Sequence, residues 1–400
     1  MGGPAQAWAA RALVAAAALV APLAIVSPLA IAPLFVLAAL ACLPCFVASR
    51  AWRDLAAPTP MLLAAGIAWA GASAAWAIDP ARVATSLPPI ALSAIGGLVV
   101  LAVARRLTGP ACARLGSALA AGVGVALALL SVEAMARYLD MLPTPHARIV
   151  ALLGRGFDPA ILNRATTVVA ISCWIAAALA WRRGRLAVAV LMPLWTIAIL
   201  PAFSSQAAIL AWLAGSASAM AAAIAPRLAR VAMIAGIVGG FALMPAIPNW
   251  APFHDLFADR GQTGSVWHRA EIWSFVASRI EEKPVLGWGL DSSRAMPEGK
   301  GKVDGFNERL PLHPHNGILQ LWLELGAVGA AIGAAIAALA AWRATAPGED
   351  ATARLAMAGS LAAALVVYAT AYGAWQGWWM ATLWLVAAFA GATARAGGPR

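Results

Sequence analysis

The sequence predicts an all-α polytopic membrane protein with about twelve transmembrane helices. Three observations carry that prediction. Of 400 residues, 62% are apolar and only 11% are charged, whereas a soluble globular chain is nearer half apolar and a quarter charged. The apolar residues fall in long runs, many approaching the roughly 20 residues that a helix needs to cross the hydrocarbon. Arginines bracket those runs and cluster in alternate short connections.

Taken in order, the first run lies near 12–27. Its short basic start and apolar stretch are also those of a secretion signal. Apolar sequence resumes at once near 29–48, so the two read as a helical pair. Runs near 61–77, 88–104 and 115–135 follow. Those near 165–181, 186–201, 206–225 and 231–247 include Ala- and Gly-rich stretches that suit close helix packing in lipid. The last three lie near 316–341, 355–371 and 376–394. No internal repeat or low-complexity tail interrupts them, and residues 1–400 read as a single membrane domain.

Orientation follows from positive charge. Arg50 and Arg53, then Arg105, Arg106 and Arg114, then Arg182, Arg183 and Arg185, then Arg227 and Arg230, then Arg343 and Arg354 occupy alternate connections. The positive-inside rule assigns those connections, and with them both termini, to the cytoplasm. One long extramembrane segment, 248–315, then falls on the opposite, outer side. The formal net charge of +11 is accounted for by these topology signals, and no compact soluble region exists to form a nucleic-acid groove. Cys42, Cys45, Cys112 and Cys173 all fall within apolar runs. "CLPC" has redox spacing, but such motifs need a solvent-exposed helix start.

The chemistry concentrates in and just after the outer segment. "SVWHRAEIWSFVASRI" (265–280) forms an amphipathic helix with Arg269 one turn before Trp273, suited to a membrane interface. Arg269 there either snorkels to headgroups or serves a site. "KPVLGWGLDSS" follows, with Gly287 and Gly289 in a turn. A lone Gly-x-Gly is a weak phosphate signal, since no strand precedes it.

In "LHPHNGILQLWLELG" the proline favours extended geometry before it, which places His313 and His315 on one side of a short extended segment. Asn316 is a natural helix cap. Asn316, Gln320 and Glu324 recur at four-residue spacing, forming one polar stripe about two turns deep. A carboxylate there faces a cavity or a partner rather than lipid. For the histidines three readings stand: local hydrogen bonding at the interface, two ligands of a metal whose remaining ligands are not apparent, or a general base or acid at a cavity mouth.

These residues resemble the O-antigen ligase/polymerase superfamily of bacterial envelope enzymes, over the region 265–341. One block is Arg269, Trp273, Pro284, Gly287 and Gly289. The other is His315, Asn316, Leu319, Glu324 and Gly326. The resemblance implies a glycosyltransferase C-like architecture in the bacterial inner membrane, with 248–315 a periplasmic loop carrying part of the active site. It implies transfer of a glycan from undecaprenyl diphosphate to an acceptor hydroxyl, with inversion and with no metal or other cofactor. His315 would be the base and Arg269 would hold the diphosphate. Arg164, His313, Asn316, Gln206, Trp273 and Glu324 would line the substrate site. Lipid A–core is the expected acceptor, membrane lipids are the surroundings, and no nucleic acid is a partner. The superfamily often carries a Ser-Arg pair at the outer start of a mid-chain helix, where this chain has Ser205 and Gln206. Arg164 is the expected substitute for the missing charge, ahead of Arg155 and Arg260.

Two alternatives to a ligase remain. One is an O-antigen or exopolysaccharide polymerase of the same superfamily. The other is a lipid or solute transporter using Glu324 and the histidines as a proton relay, which would place polarity near the membrane midplane.

Overall fold

The structure is a computed structural model and describes residues 3–55, 58–107, 109–141, 143–152, 160–203, 205–250, 253, 265–303 and 307–395. Every apolar run is helical. The first five helices are α1 (Pro4–Val26), α2 (Ile31–Ala48), α3 (Pro58–Ala72), α4 (Pro80–Ala104) and α5 (Gly109–Tyr138). A short α6 (Pro145–Leu152) leads into α7 (Ala160–Trp181), α8 (Leu186–Ile199), α9 (Gln206–Ile224) and α10 (Pro226–Leu243). The outer segment contributes α11 (Ser265–Glu282). The chain closes with α12 (Gly317–Ala344), α13 (Ala351–Thr370) and α14 (Gly377–Arg395).

Among the described residues ten helical segments are long and apolar enough to cross a membrane, rather than twelve, and the chain is a multi-pass membrane protein. The two shorter ones have identifiable causes. α3 tightens into a 3-10 turn at Ser73–Ala75, where the Ser73 hydroxyl donates to Ala70 O and accepts the Leu290 N–H of a docked loop. α14 begins late because residues 371–376 form a loop at the candidate site.

α7 is the central helix. Val168, Val169, Ile171, Cys173 and Ile175 are fully buried, and α1, α5, α8, α9 and α13 pack around it. Small residues set the closest approaches. A Cβ on Gly122 would lie 2.3 Å from Ala18 O, so α1 and α5 meet backbone to backbone, as helices in lipid commonly do.

The two ends of the bundle differ. At one end the arginine-rich connections tie to one another. Arg106 pairs with Asp54, and Arg182 with Asp350. Arg343 donates to Thr59, and Arg230 to Trp342 O and Thr345 O. At the other end the start of α12 meets the ends of α3 and α13.

α12 is broken inside the bundle. Gly326 has φ +63° and ψ −164°, a conformation essentially confined to glycine. The turn from Pro284 to Gly289 fills the gap. Trp288 N donates to Leu323 O, Gly289 N to Glu324 O, and Ala327 N to Pro284 O. Trp69 Nε1 donates to Leu325 O at 2.9 Å. Gly287, also at positive φ, lies so close that a Cβ would come within 2.6 Å of the Glu324 carbonyl. The Gly-x-Gly turn is therefore a strap across an opened helix and not a phosphate loop.

Gly326→Ala is expected to lower the unfolding temperature in detergent. The backbone alone costs about 1–3 kcal/mol, and the new Cβ would sit 2.1 Å from Val285 O. An unchanged melting temperature would show that α12 does not need the break.

Candidate active site

The site is assembled on the strap. Asn316 caps α12, its Oδ1 accepting from Ile318 N and Leu319 N. Two turns deeper, four donors converge on the fully buried Glu324. Ser293 Oγ and Gln320 Nε2 donate to Oε1 at 2.6 and 2.9 Å. Asp291 N and Trp375 Nε1 donate to Oε2 at 2.7 and 2.6 Å. That set complements an acceptor-only carboxylate. Gln320 Oε1 accepts from Ala374 N. The polar stripe therefore clamps two loops, 289–294 and 371–376, onto the start of α12. Of the two surroundings expected for Glu324, a cavity or a partner, the structure gives it partners.

The clamped loops hold the histidines. His315 Nδ1 lies 3.0 Å from Ala371 O. A carbonyl only accepts, so Nδ1 carries the hydrogen and Nε2 presents a lone pair, with no protein partner among the described residues. His315 N donates to His313 Nδ1 at 3.1 Å, and His313 Nε2 lies 2.6 Å from the Gln376 amide nitrogen. The rings stand 4.4 Å apart, edge to face. The segment is not extended as the proline suggested. His315 sits at φ +55°, a strained left-handed geometry for a residue bearing a Cβ. Trp273 Nε1 helps to fix it by donating to Pro314 O at 2.9 Å.

Three arginines act on the pair. Arg269, on α11, donates to Thr370 O at 3.0 Å and is largely buried, which lowers its pKa, with Tyr372 opposing. Arg164, in the first turn of α7, lies over the Trp378 ring at 5.8 Å. Arg294 comes from the strap loop, held through Nε by Asp291 at 3.1 Å. Burial pushes His315 down to about 4. The Ala371 carbonyl works the other way, and Arg269 and His268 add to the fall. Burial takes His313 to about 3, reinforced by His315, Arg294, Arg164 and Arg269. Both imidazoles are neutral at physiological pH. Burial pushes Tyr372 up to about 12, with Thr167, Arg164 and Arg269 opposing, and its hydroxyl donates to Asn163 O at 3.2 Å.

The structure thus brings together His313, His315, Arg269 and Arg164, with Trp273 and Asn316 holding the loop. Gln206 does not join them. It is exposed at the start of α9, outside the cluster's hydrogen bonds. Arg155 and Arg260 lie outside the described residues. Sequence reasoning missed Arg294, Tyr372, Trp375 and Gln376, which sit in loops without a motif and reach the site only through the fold. Among the described residues no three His, Cys, Asp or Glu side chains converge as a metal site would need.

Beside the cluster runs a cavity of about 890 Å³ between α2, α4 and α14, with His313, Arg82 and Arg294 at its mouth. The arrangement suits an anionic lipid-linked substrate. Guanidinium groups stand where phosphate charge would lie, next to an imidazole able to accept a proton.

Comparison with known proteins agrees. Residues 160–334 match the family model described as O-antigen ligase. A protein of Rickettsia conorii named "Putative polysaccharide ligase" is 32% identical over 175 residues, 42% of each chain. One of the same name from Rickettsia felis is 30% identical over 190 residues, 46% of each. Another, from Rickettsia bellii, is 29% identical over 238 residues, 58% of each. The chain spans about half the length of the curated relatives it matches. Arg164, Arg269, both histidines and the break at Gly326 all lie inside the matched region, residues 160–334.

Proposed function

We propose that the protein is a polysaccharide ligase of the O-antigen type. It transfers a glycan from undecaprenyl diphosphate to lipid A–core at the periplasmic face of the bacterial inner membrane. The observation that carries this reading is the free Nε2 of a neutral His315 near Arg269, with Arg164 acting on the adjoining His313, at the end of the bundle opposite the arginine-rich connections.

In this mechanism the donor diphosphate lies against Arg269 and Arg164. The acceptor hydroxyl approaches the anomeric carbon from the face opposite the leaving group, and His315 Nε2 takes its proton. The new glycosidic bond forms as the bond to the diphosphate breaks, with inversion. Negative charge grows on the diphosphate oxygen as it leaves, and fixed guanidinium groups in a water-poor pocket stabilise that charge. The Ala371 carbonyl steadies the imidazolium through Nδ1–H. The Trp378 ring holds Arg164 in place.

His315→Ala is expected to lower transfer in membranes by about 100-fold or more. His315→Asn separates chemistry from folding, because asparagine tolerates the left-handed backbone; it should insert normally and remain inactive. Normal transfer by either variant removes the base role. Arg269→Lys should lose about 100-fold, since a lysine cannot offer the planar fork.

The pH dependence follows from the same geometry. A base works only unprotonated, and His315 binds a proton only as pH falls toward about 4. The kcat/KM for transfer, which reports the enzyme without bound donor, should therefore hold level from neutrality downward and decline near that value. A limb at the ordinary 6.5 would contradict the depressed imidazole.

The acceptor is tested by deleting the gene and resolving surface polysaccharide on a gel. Uncapped lipid A–core with accumulating lipid-linked polymer is expected. Single capped repeats would instead identify a polymerase.

A further inference from the structure

The cavity beside His313 is a groove with two distinct ends. Its walls come from α2 and α4, where Val36, Leu40, Leu43, Leu92 and Ile95 line it and are themselves 44–67% exposed. In a bilayer that exposure faces lipid, so the groove is open along its side. From Arg82 to Val99, both lining it, α4 rises about 25 Å. That depth is most of a roughly 30 Å hydrocarbon layer. A groove of this form fits an extended lipid chain.

The outer end is polar. Arg82 and Arg294 are 37% and 41% exposed. Arg294 meets Asp291 through Nε, and its terminal amino groups have no protein acceptor among the described residues. Arg82 meets Asp79 through Nε at 3.2 Å, and its Nη1 stays 3.8 Å from Asp291, beyond hydrogen-bond range. Asp291 is held on its other side by Ser86 Oγ at 3.0 Å. Arg294 is therefore fixed by a hydrogen bond to a carboxylate and Arg82 is ion-paired with one, and both keep donors to spare. The charged groups acting on His313, at the same mouth, are Arg294, Arg164 and Arg269, with no carboxylate among them.

We propose that this groove is the acceptor site. It holds one acyl chain of a phosphorylated glycolipid, with a phosphate of that lipid bound by Arg294 and Arg82. The assignment rests on the reading above, in which the donor diphosphate occupies Arg164 and Arg269. Two lipid-borne substrates must reach one imidazole. The groove gives the second a lipid-facing path on the side of the histidine pair formed by α2 and α4, away from α7 and α11. The acceptor hydroxyl then arrives past His313, which positions it for His315.

The test measures binding and transfer separately, on the full chain in nanodiscs. Native mass spectrometry would read retention of hexa-acylated lipid A, dephosphorylated lipid A and undecaprenyl phosphate. Arg294→Ala is expected to weaken lipid A binding about tenfold, as loss of a charge-assisted hydrogen bond would, and to leave undecaprenyl phosphate unchanged. Dephosphorylated lipid A should bind the wild type as weakly as lipid A binds Arg294→Ala. Leu40→Trp with Leu92→Trp should block the groove and produce the same selective loss. In transfer assays the acceptor KM should rise while the donor KM stays level.

Loss of undecaprenyl phosphate instead of lipid A would make the groove the donor's and overturn the proposal. Equal binding by all variants would also overturn it. If the tryptophan pair does not fold, Arg294→Ala and the dephosphorylated lipid decide the matter alone. Selective lipid A binding without any glycan transfer would sink the ligase reading and leave the groove assignment standing.

Discussion

A helix opened inside a bilayer must have its freed backbone groups satisfied by something other than water, because each unsatisfied group there costs several kcal/mol. The break in α12 at Gly326 imposes that constraint, and the arrangement of the site follows from meeting it. The carbonyls of Leu323, Glu324 and Leu325 take donors from Trp288, Gly289 and Trp69. Docking the strap for that purpose brings Asp291 and Ser293 to the Glu324 carboxylate, and Asp291 in turn holds Arg294. The same carboxylate and its neighbour Gln320 collect Trp375 and Ala374. They thereby set the loop whose Ala371 and Gln376 meet the two histidines. A histidine loop and an arginine loop from distant parts of the chain are registered by one interruption of one helix.

The histidine environment carries an apparent contradiction, since a base at about 4 is a weak base. The causes of its depression resolve it. Arg269 and His268 lower His315, and Arg294, Arg164 and Arg269 lower His313. A bound diphosphate would offset the arginine field, because an anion favours the protonated imidazole. On the proposed reading the imidazole would gain basicity with a donor in place and stay neutral, with its lone pair available, without one. Burial alone would weaken the base permanently, whereas burial among arginines couples its strength to the substrate. The strained backbone at His315 belongs to the same economy of fixed geometry: three polar contacts around the loop hold the ring where reaction needs it.

Helices were legible in the sequence because hydropathy is a local property, and every apolar run became one. The polar stripe of Asn316, Gln320 and Glu324 was legible for the same reason, as a periodicity on a single helix. Its use was not. Whether Glu324 faces a cavity or clamps loops depends on Asp291, Ser293 and Trp375, which local spacing does not bring near it. Gly326 appeared as a residue of a resemblance, but one glycine in a Gly- and Ala-rich helix gives no sign of a break until its strap is seen. Arg294 and Gln376 lie in loops whose composition marks nothing. His315 was legible as chemistry and misread as geometry: the proline constrains His313 before it, while the left-handed turn falls on the residue after.

A broken helix in lipid with a buried carboxylate is also what a transporter's coupling-ion site would present, so the break by itself does not distinguish the two classes. The hydrogen bonds around it do. In a transport site the opened carbonyls and the carboxylate must be left for the ion. Here the carbonyls of residues 323–325 are taken by protein donors, and both Glu324 oxygens accept two bonds each. Nothing at the break is spare. Among the described residues of the site, His315 Nε2 and the guanidinium ends of Arg82 and Arg294 keep unused capacity, all at one end of the bundle, two of them lining the lipid-open groove. Binding capacity at a membrane face, built on a saturated interior, is the arrangement expected of an enzyme that meets lipid substrates from the side.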